Sequence, residues 1–260
     1  MKVSKELKIA LLQSDLVWEN PTINRIKFQE QIKNIKEPVD LIVLPEMFTT
    51  GFTMNAKVVA EAMSGKTVLW MQKLAKEKKT AISGSIIICE NNQHYNRLLF
   101  VHPSGKTEIY NKKHTFTLAG EEKVYTAGNK KLIVEYLGWK ICPLICYDLR
   151  FPVWARNTKN YDVLLFVASW PATRINAWDT LLKARAIENM SFTIGVNRIG
   201  EDANNYLYPG HSSAYDCLGN ELCKNINEKS ILVITLNKDS QEKVRRKLNF
   251  LNDRDVFKIQ

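Results

Sequence analysis

The sequence predicts an α/β fold built as a four-layer α-β-β-α sandwich, with two facing mixed sheets inside and helices outside. Three observations carry this. Short runs rich in Val, Ile and Leu alternate with longer amphipathic stretches. Several of the short runs are apolar on both faces, as strands covered on both sides must be. The order runs β-α-β-α, several strands, β-α-β-α and strands again, which two facing sheets with outer helices accommodate.

Taken in order, strands are expected at 8–12, 40–44, 81–88, 98–102, 132–137, 140–146, 163–168, 192–197 and 231–236. Helices are expected at 22–35, 67–79, 153–159 and 175–189. Pro21 opens the first helix, since its fixed φ suits a helix start, and Ser64-Gly65-Lys66 punctuates the second. Trp170-Pro171 precedes the last, which sets Trp178, Leu181, Leu182 and Arg185 on one face to lie against a sheet. Asn91-Asn92-Gln93 reads as a hairpin turn and Cys217-Leu218-Gly219-Asn220 as another. No Ser/Gly-rich linker and no 20–50-residue repeat divides the chain.

Composition narrows the function classes. The 260 residues are 45% hydrophobic and 25% charged, the balance of a globular protein and not of a disordered or collagen-like one. This length admits one large domain or two fused layers, and buries enough surface to need no disulfide or metal. The net charge of +10 is spread along the chain. The short basic clusters at 76–79 and 243–247 read as solvated helix faces, so no specific nucleic-acid partner is expected. No run of 18 apolar residues predicts a membrane span. The N-terminus lacks an apolar h-region and a cleavage site, and the five Cys have no framework spacing, which together point to the cytoplasm.

Four segments could carry chemistry. In Leu44-Pro45-Glu46-Met47-Phe48, Pro45 stops a strand ladder and Glu46 stands at the strand's C-terminal end, where α/β sheets keep their ligand sites. A carboxylate among Met47 and Phe48 is partly desolvated, which suits a general base. In Tyr110-Asn111-Lys112-Lys113-His114-Thr115-Phe116, two adjacent Lys in a strand point opposite ways, so at most one faces a given pocket. In Ile141 to Pro152 an apolar strand ends at Cys146 before a polar turn, Tyr147-Asp148-Leu149-Arg150. A nucleophile on such a turn is open to attack, and the next backbone N–H can hold an oxyanion. Asp148 and Arg150 could pair with each other or with backbone to hold the turn. Cys142 reads as inert core, and Cys142-x3-Cys146 lacks partners at metal-ligand spacing. A Cys/His pair using His114 or His211 is conceivable, without the flanking signature of a papain-like site. The fourth segment, the polar loop 120–128, says little alone.

Together these segments resemble the nitrilase (carbon–nitrogen hydrolase) family over 8 to about 236, because Leu44-Pro45-Glu46-Met47-Phe48, Tyr110-Asn111-Lys112-Lys113-His114-x-Phe116 and Cys146-Tyr147-Asp148-Leu149-Arg150-Phe151-Pro152 occur in the family's order. The resemblance implies one carbon–nitrogen hydrolase domain over 1–260, a catalytic triad of Glu46, Lys112 and Cys146, and no metal or organic cofactor. It selects Lys112 over Lys113, because the family's lysine stands two residues before the histidine. Glu121, Tyr125 and Gly128 match the context of its second glutamate, a supporting residue that would position Lys112 or the amide. Ala184 to Asn189 looks like the family's helix behind the site, with Glu188 structural. Cys146 to Pro152 together with Ala168-Ser169-Trp170-Pro171 is most similar to the ω-amidase branch. That similarity implies hydrolysis of the terminal amides of 2-oxoglutaramate and 2-oxosuccinamate. The family also implies a homodimer.

The chemistry expected is a thiol addition. A free Cys titrates near 8.5 and its thiolate is the nucleophile. Lys112 favours that thiolate and Glu46 opposes it, so Glu46 is cast as the base. The oxyanion falls to the Lys112 ammonium and the Tyr147 backbone N–H. A small amide acid needs a cation, for which Arg174 beside Trp170 is the candidate. Alternatives on the same residues are an amidase or N-carbamoyl hydrolase of other specificity, a nitrilase, and a non-catalytic scaffold.

Overall fold

Two six-stranded sheets face one another in the computed structural model, which describes residues 4–223 and 227–258. In chain order the elements are β1 (Glu6–Gln13), α1 (Pro21–Lys33), β2 (Leu41–Val43), α2 (Ala56–Val59), α3 (Lys66–Lys78), β3 (Ala81–Glu90), β4 (Gln93–Val101) and β5 (Thr107–Asn111). There follow β6 (Val134–Tyr136), β7 (Trp139–Ile145), α4 (Pro152–Ala155), β8 (Val163–Ala168), α5 (Ile175–Asn189), β9 (Phe192–Asn197), β10 (Ile199–Glu201) and β11 (Leu207–Pro209). The chain closes with β12 (Ser213–Tyr215), β13 (Glu221–Cys223), β14 (Ser230–Asn237) and α6 (Lys238–Leu248).

The first sheet runs β14-β1-β2-β3-β4-β5 and the second β13-β12-β9-β8-β7-β6. Both are mixed. β1, β2 and β3 are mutually parallel, as are β7, β8 and β9, while the flanking strands pair antiparallel.

Alternation along each strand builds the layers. Ile9 and Leu11 of β1 join Phe100, Leu144, Phe166 and Ile194 in the core between the sheets. Their neighbours Ala10 and Leu12 point the other way, onto Phe28 and Ile32 of α1 and Val68 and Met71 of α3. On the second sheet α5 supplies the cover. A Cβ on Gly195 of β9 would lie 2.5 Å from both Leu182 and Trp178, so the bare glycine lets α5 come down onto the strand. The expected four-layer α-β-β-α sandwich is what the chain adopts.

Local signals account for most boundaries. Pro21 opens α1, whose cap is the Asn20 side chain accepting from the Ile23 N–H. Asn91 and Asn92 carry φ of 51° and 58°, the left-handed pair a two-residue hairpin needs, and join β3 to β4. Gly219, at φ 82°, sits in the turn between β12 and β13.

Several expectations need correction. The helix expected at 153–159 stops at Ala155. Beyond it Asn157 takes over the backbone, donating to the Tyr161 and Asn189 carbonyls, so the chain turns back toward α5. The strand at 98–102 begins earlier, at Gln93, and that at 132–137 shrinks to Val134–Tyr136. The basic run 243–247 does lie on a helix, α6, but Arg245 is not merely solvated. Its guanidinium reaches Asp162 at 3.2 Å and the carbonyls of Met190 and Tyr161 at 2.7 Å each. Among the described residues no helix is long and apolar enough to cross a membrane.

Candidate active site

The site forms where three strands end. β2 stops at Val43, Leu44 still donates to the Ser83 carbonyl, and Pro45 breaks the ladder. Glu46 follows with no exposed surface, so its burial is complete where the sequence implied only partial desolvation. One of its oxygens accepts from Asn96 Nδ2 at 2.7 Å and Lys112 Nζ at 2.9 Å. The other accepts the Ser169 backbone N–H at 2.9 Å.

Lys112 stands one residue beyond β5, its N–H still bonded to the Asn96 carbonyl. The expected divergence of the two lysines holds. Lys112 is buried in the site, while the Lys113 ammonium lies outside it, 5.7 Å over the Trp154 ring. The Lys112 ammonium contacts Glu46 at 2.9 Å and both Glu121 oxygens at 2.9 and 3.1 Å. Burial alone would lower an ammonium's pKa; Glu121 and Glu46 outweigh it and hold Lys112 above the usual lysine range. Burial pushes the Glu121 carboxyl up, against the pull of Lys112, and Glu46 adds to the push.

Glu121 is fixed from the other side too, accepting the Phe116 N–H at 2.5 Å. The Glu121–Tyr125–Gly128 pattern is a folding device around it. Tyr125 donates its N–H to the Glu121 carbonyl and its hydroxyl to the Thr53 carbonyl. Gly128 donates to the Lys112 carbonyl at 2.8 Å, and a Cβ there would fall 2.2 Å from the Asn111 carbonyl oxygen. Gly128→Ala is therefore expected to cost about 1–3 kcal/mol, the range for an overpacked site, and to lower turnover by displacing Lys112. Urea denaturation with steady-state rates tests this; a wild-type midpoint and rate would contradict it.

Cys146 follows β7 directly at φ 43°, a left-handed conformation uncommon outside glycine. A short 3-10 turn, Cys146–Arg150, begins there. Burial and then the charge of Glu46 push the Cys146 thiol well up, with Lys112 pulling the other way, so the thiol rests neutral beside Glu46. Asp148 does not pair with Arg150. It accepts from the Tyr110 hydroxyl at 2.7 Å, the Ile145 N–H at 3.1 Å, and both the backbone N–H and Nδ1 of His114 at 3.0 and 2.8 Å. His211 is likewise engaged away from any sulfur, with Asp179 at 2.9 Å. Cys142 is buried core with its thiol pushed up to about 12 by burial. Arg185 on α5 donates to the Leu149 carbonyl and pairs with Glu188 at 2.9 Å, so Glu188 braces the turn from behind.

Glu46, Lys112 and Cys146 open onto one cavity of about 560 Å³, which Trp170, Arg174 and Arg150 also line. Trp170 is held by Asn197, which accepts its N–H at 2.7 Å, and its indole donates to the Arg174 carbonyl at 2.8 Å. The Arg174 guanidinium stacks 5.1 Å over Phe116 and that of Arg150 5.0 Å over Trp170. Neither has a carboxylate within ion-pair range among the described residues. The same residues include no group of His, Cys, Asp and Glu able to hold a metal ion.

Asn96 and the Ser169 N–H escape sequence reasoning as contacts of Glu46. The one available signal is the polar pair Asn96-Arg97 directly before the apolar run Leu98-Leu99-Phe100-Val101 of β4. Arg150 likewise lines the cavity as a second cation, whereas in the sequence it offers itself only as a partner for its own turn.

A two-sheet sandwich presenting a Glu, a Lys and a Cys to a common cavity defines the class. The chain belongs to the carbon–nitrogen hydrolase family, whose model matches residues 8–246. It is 41% identical to an omega-amidase, YafV, of Escherichia coli K12, over 97% of this chain and 98% of that protein. It is 33% identical to a 2-oxoglutaramate amidase of Bacillus subtilis, over 94% and 96% of the two chains. The crystal structure of XC1258 from Xanthomonas campestris, a CN-hydrolase superfamily protein, superposes with a TM-score of 0.96 at 37% identity, covering 98% of this chain and 99% of that one.

Proposed function

We propose that this protein hydrolyses the terminal amides of small 2-oxo acids, such as 2-oxoglutaramate and 2-oxosuccinamate, to the acid and ammonia through a cysteine thioester. The observation that carries the reading is one buried ammonium, Lys112, gripped by Glu46 and Glu121 at the wall of the cavity that Cys146 lines. The similarity to an omega-amidase and a 2-oxoglutaramate amidase supports the substrate class.

Cys146 is the nucleophile. Its thiol is neutral at rest, so Glu46 removes the proton as sulfur adds to the amide carbonyl. The oxyanion is held by the Lys112 ammonium and the Tyr147 N–H, one of the N–H groups that a helical turn's start leaves without an internal partner. Such donors are worth about 3–4 kcal/mol each. Glu46 passes its proton to the departing ammonia, then activates the water that cleaves the thioester. Glu121 fixes the Lys112 ammonium. None of these steps calls on a metal or an organic cofactor. Residues 1–260 act as one hydrolase domain.

The substrate carboxylate lies against Arg174, with Arg150 as the second cation the pocket offers. Charge-assisted hydrogen bonds are worth about 1.5–3 kcal/mol, so Arg174→Gln and Arg150→Gln should each raise KM for 2-oxo acid amides roughly 10- to 150-fold. KM for a neutral aliphatic amide should stay nearly constant. Equal changes for both substrates would remove the arginines from this role.

Ammonia release from 2-oxoglutaramate and 2-oxosuccinamate, set against asparagine, glutamine and simple nitriles, tests the substrate class. Preference for any of the latter three overturns it. A homodimer is the assembly that membership of the carbon–nitrogen hydrolase family leads us to propose. Light scattering on the purified chain distinguishes one copy from two. Five free thiols suit the cytoplasm.

A further inference from the structure

Two motif residues near the nucleophile, Tyr110 and His114, take no part in the chemistry, yet both bind one carboxylate. Asp148 has no exposed surface and lies two residues past Cys146. Its Oδ2 accepts the Ile145 N–H at 3.1 Å, from the last residue of β7 in the second sheet, and the Tyr110 hydroxyl at 2.7 Å, from β5 in the first. Its Oδ1 accepts both the backbone N–H and the ring Nδ1 of His114, at 3.0 and 2.8 Å. An ionised carboxylate only accepts, so the His114 Nδ1 carries the proton.

The consequence is mechanical. Lys112 sits between Tyr110 and His114 where β5 leaves the first sheet, and both neighbours are tied to Asp148. Cys146 sits between Ile145 and Asp148 where β7 leaves the second. The His114 ring also stacks on Phe151, with centroids 3.6 Å apart and planes 3° from parallel, which binds the lysine loop to the far end of the cysteine turn. Trp154 Nε1 donates to the Tyr110 hydroxyl at 3.0 Å and fixes that oxygen from behind. Apolar packing between facing layers is non-directional. The three hydrogen bonds that Tyr110 and His114 make to one buried carboxylate fix angle and distance, and losing one costs the desolvation of the group left unpaired.

We propose that Asp148 is a positioning residue that, through Tyr110 and His114, sets the distance between the Lys112 ammonium and the Cys146 sulfur across the two sheets. The inference rests on Cys146 being the nucleophile. Misplacing a reacting group by about 1 Å costs about 10²-fold in rate, and that is the scale at stake.

The test uses Asp148→Asn, of nearly the same shape, and His114→Phe, which keeps the stack on Phe151 and removes the ring's hydrogen bond. Four quantities are measured: kcat and KM on a primary amide, the melting temperature, and the pH profile of Cys146 alkylation by iodoacetamide. Asp148→Asn is expected to lower kcat about 10²-fold, with KM within about threefold, and to displace the alkylation profile, because sulfur no longer keeps its distance from Lys112. His114→Phe should shift both in the same sense by less, with a smaller fall in melting temperature because Asp148 keeps the His114 backbone N–H, and it decides the matter if Asp148→Asn does not fold. Wild-type kcat and a wild-type alkylation profile in a folded variant overturn the proposal. So does a loss of kcat that merely follows a fall in melting temperature with the profile unmoved. The alkylation profile needs no substrate, so it judges Asp148 even if turnover by a Cys146 variant were to remove the nucleophile assignment itself.

Discussion

Cys146→Ala is expected to lower kcat/KM for a primary amide by at least about 10⁴-fold, the scale on which nucleophile removal acts in covalent catalysis. Cys146→Ser should fare little better. The site leaves the thiol neutral, because burial and Glu46 push it up harder than Lys112 pulls it down. A hydroxyl is far less acidic still, so Glu46 would have to remove a more tightly held proton in the same step. Neither change should unfold the chain. Cys146 lies at the margin of the inter-sheet core, partly buried, and the conformation around it is held by Asp148 and by Arg185 on the Leu149 carbonyl. Circular dichroism melting alongside the kinetics separates the two effects. Rapid-quench mass spectrometry of the wild type should find the acyl group on Cys146. Wild-type turnover by Cys146→Ala, or an adduct on another cysteine, would falsify the assignment.

What the sequence made legible follows from how each group is displayed. Glu46, Lys112 and Cys146 each stand where an apolar or ordered strand gives way to polar residues, so their placement shows in one dimension. Asn96 does not, because its role depends on β4 lying beside β5 in register with Asn111 and the residue after it. The Ser169 N–H is invisible for a second reason, being a backbone group that any residue would supply. The layers could be read because β1 and β8 are apolar on both faces, whereas of α6 only the basic run 243–247 reads as helical. KDSQEKVRRKL has almost no apolar periodicity, only Gln241 is buried, and the helix is marked by its ends: Asn237 accepting the Ser240 N–H at the start, and Arg245, Arg246 and Lys247 in the last turn. The helix expected at 153–159 fails for the converse reason. Its composition suits a helix, but Asn157 finds better partners in the Tyr161 and Asn189 carbonyls.

Lys112→Met is expected to lose both activity and stability, and the two losses can be separated. The ammonium serves two buried carboxylates, each with no exposed surface, at 2.9 Å. Removing one partner of a buried ion pair typically costs about 3–5 kcal/mol, since the remaining charge is left uncompensated, and loss of an oxyanion donor costs about 10²–10³-fold in kcat. The pH dependence has a definite sign. In the wild type Lys112 is held above its ordinary 10.5, so its contribution is complete below that value and is lost only as pH rises through the higher folded one. In the variant Glu121, already pushed up from 4.5 by burial, loses the cation that opposes that push. Above pH 4.5 the folded variant then binds more protons than the unfolded chain, so its stability falls as pH rises. The deficit against wild type should be small near pH 5 and large near pH 8, as read by urea denaturation at both. Adding Glu121→Gln removes one of the two stranded charges and should restore part of the stability at pH 8. It should not restore turnover, because no ammonium then faces the oxyanion. Recovery of both together would mean that Lys112 acts on the fold alone, and a deficit independent of pH would mean that neither carboxylate is charged beside it.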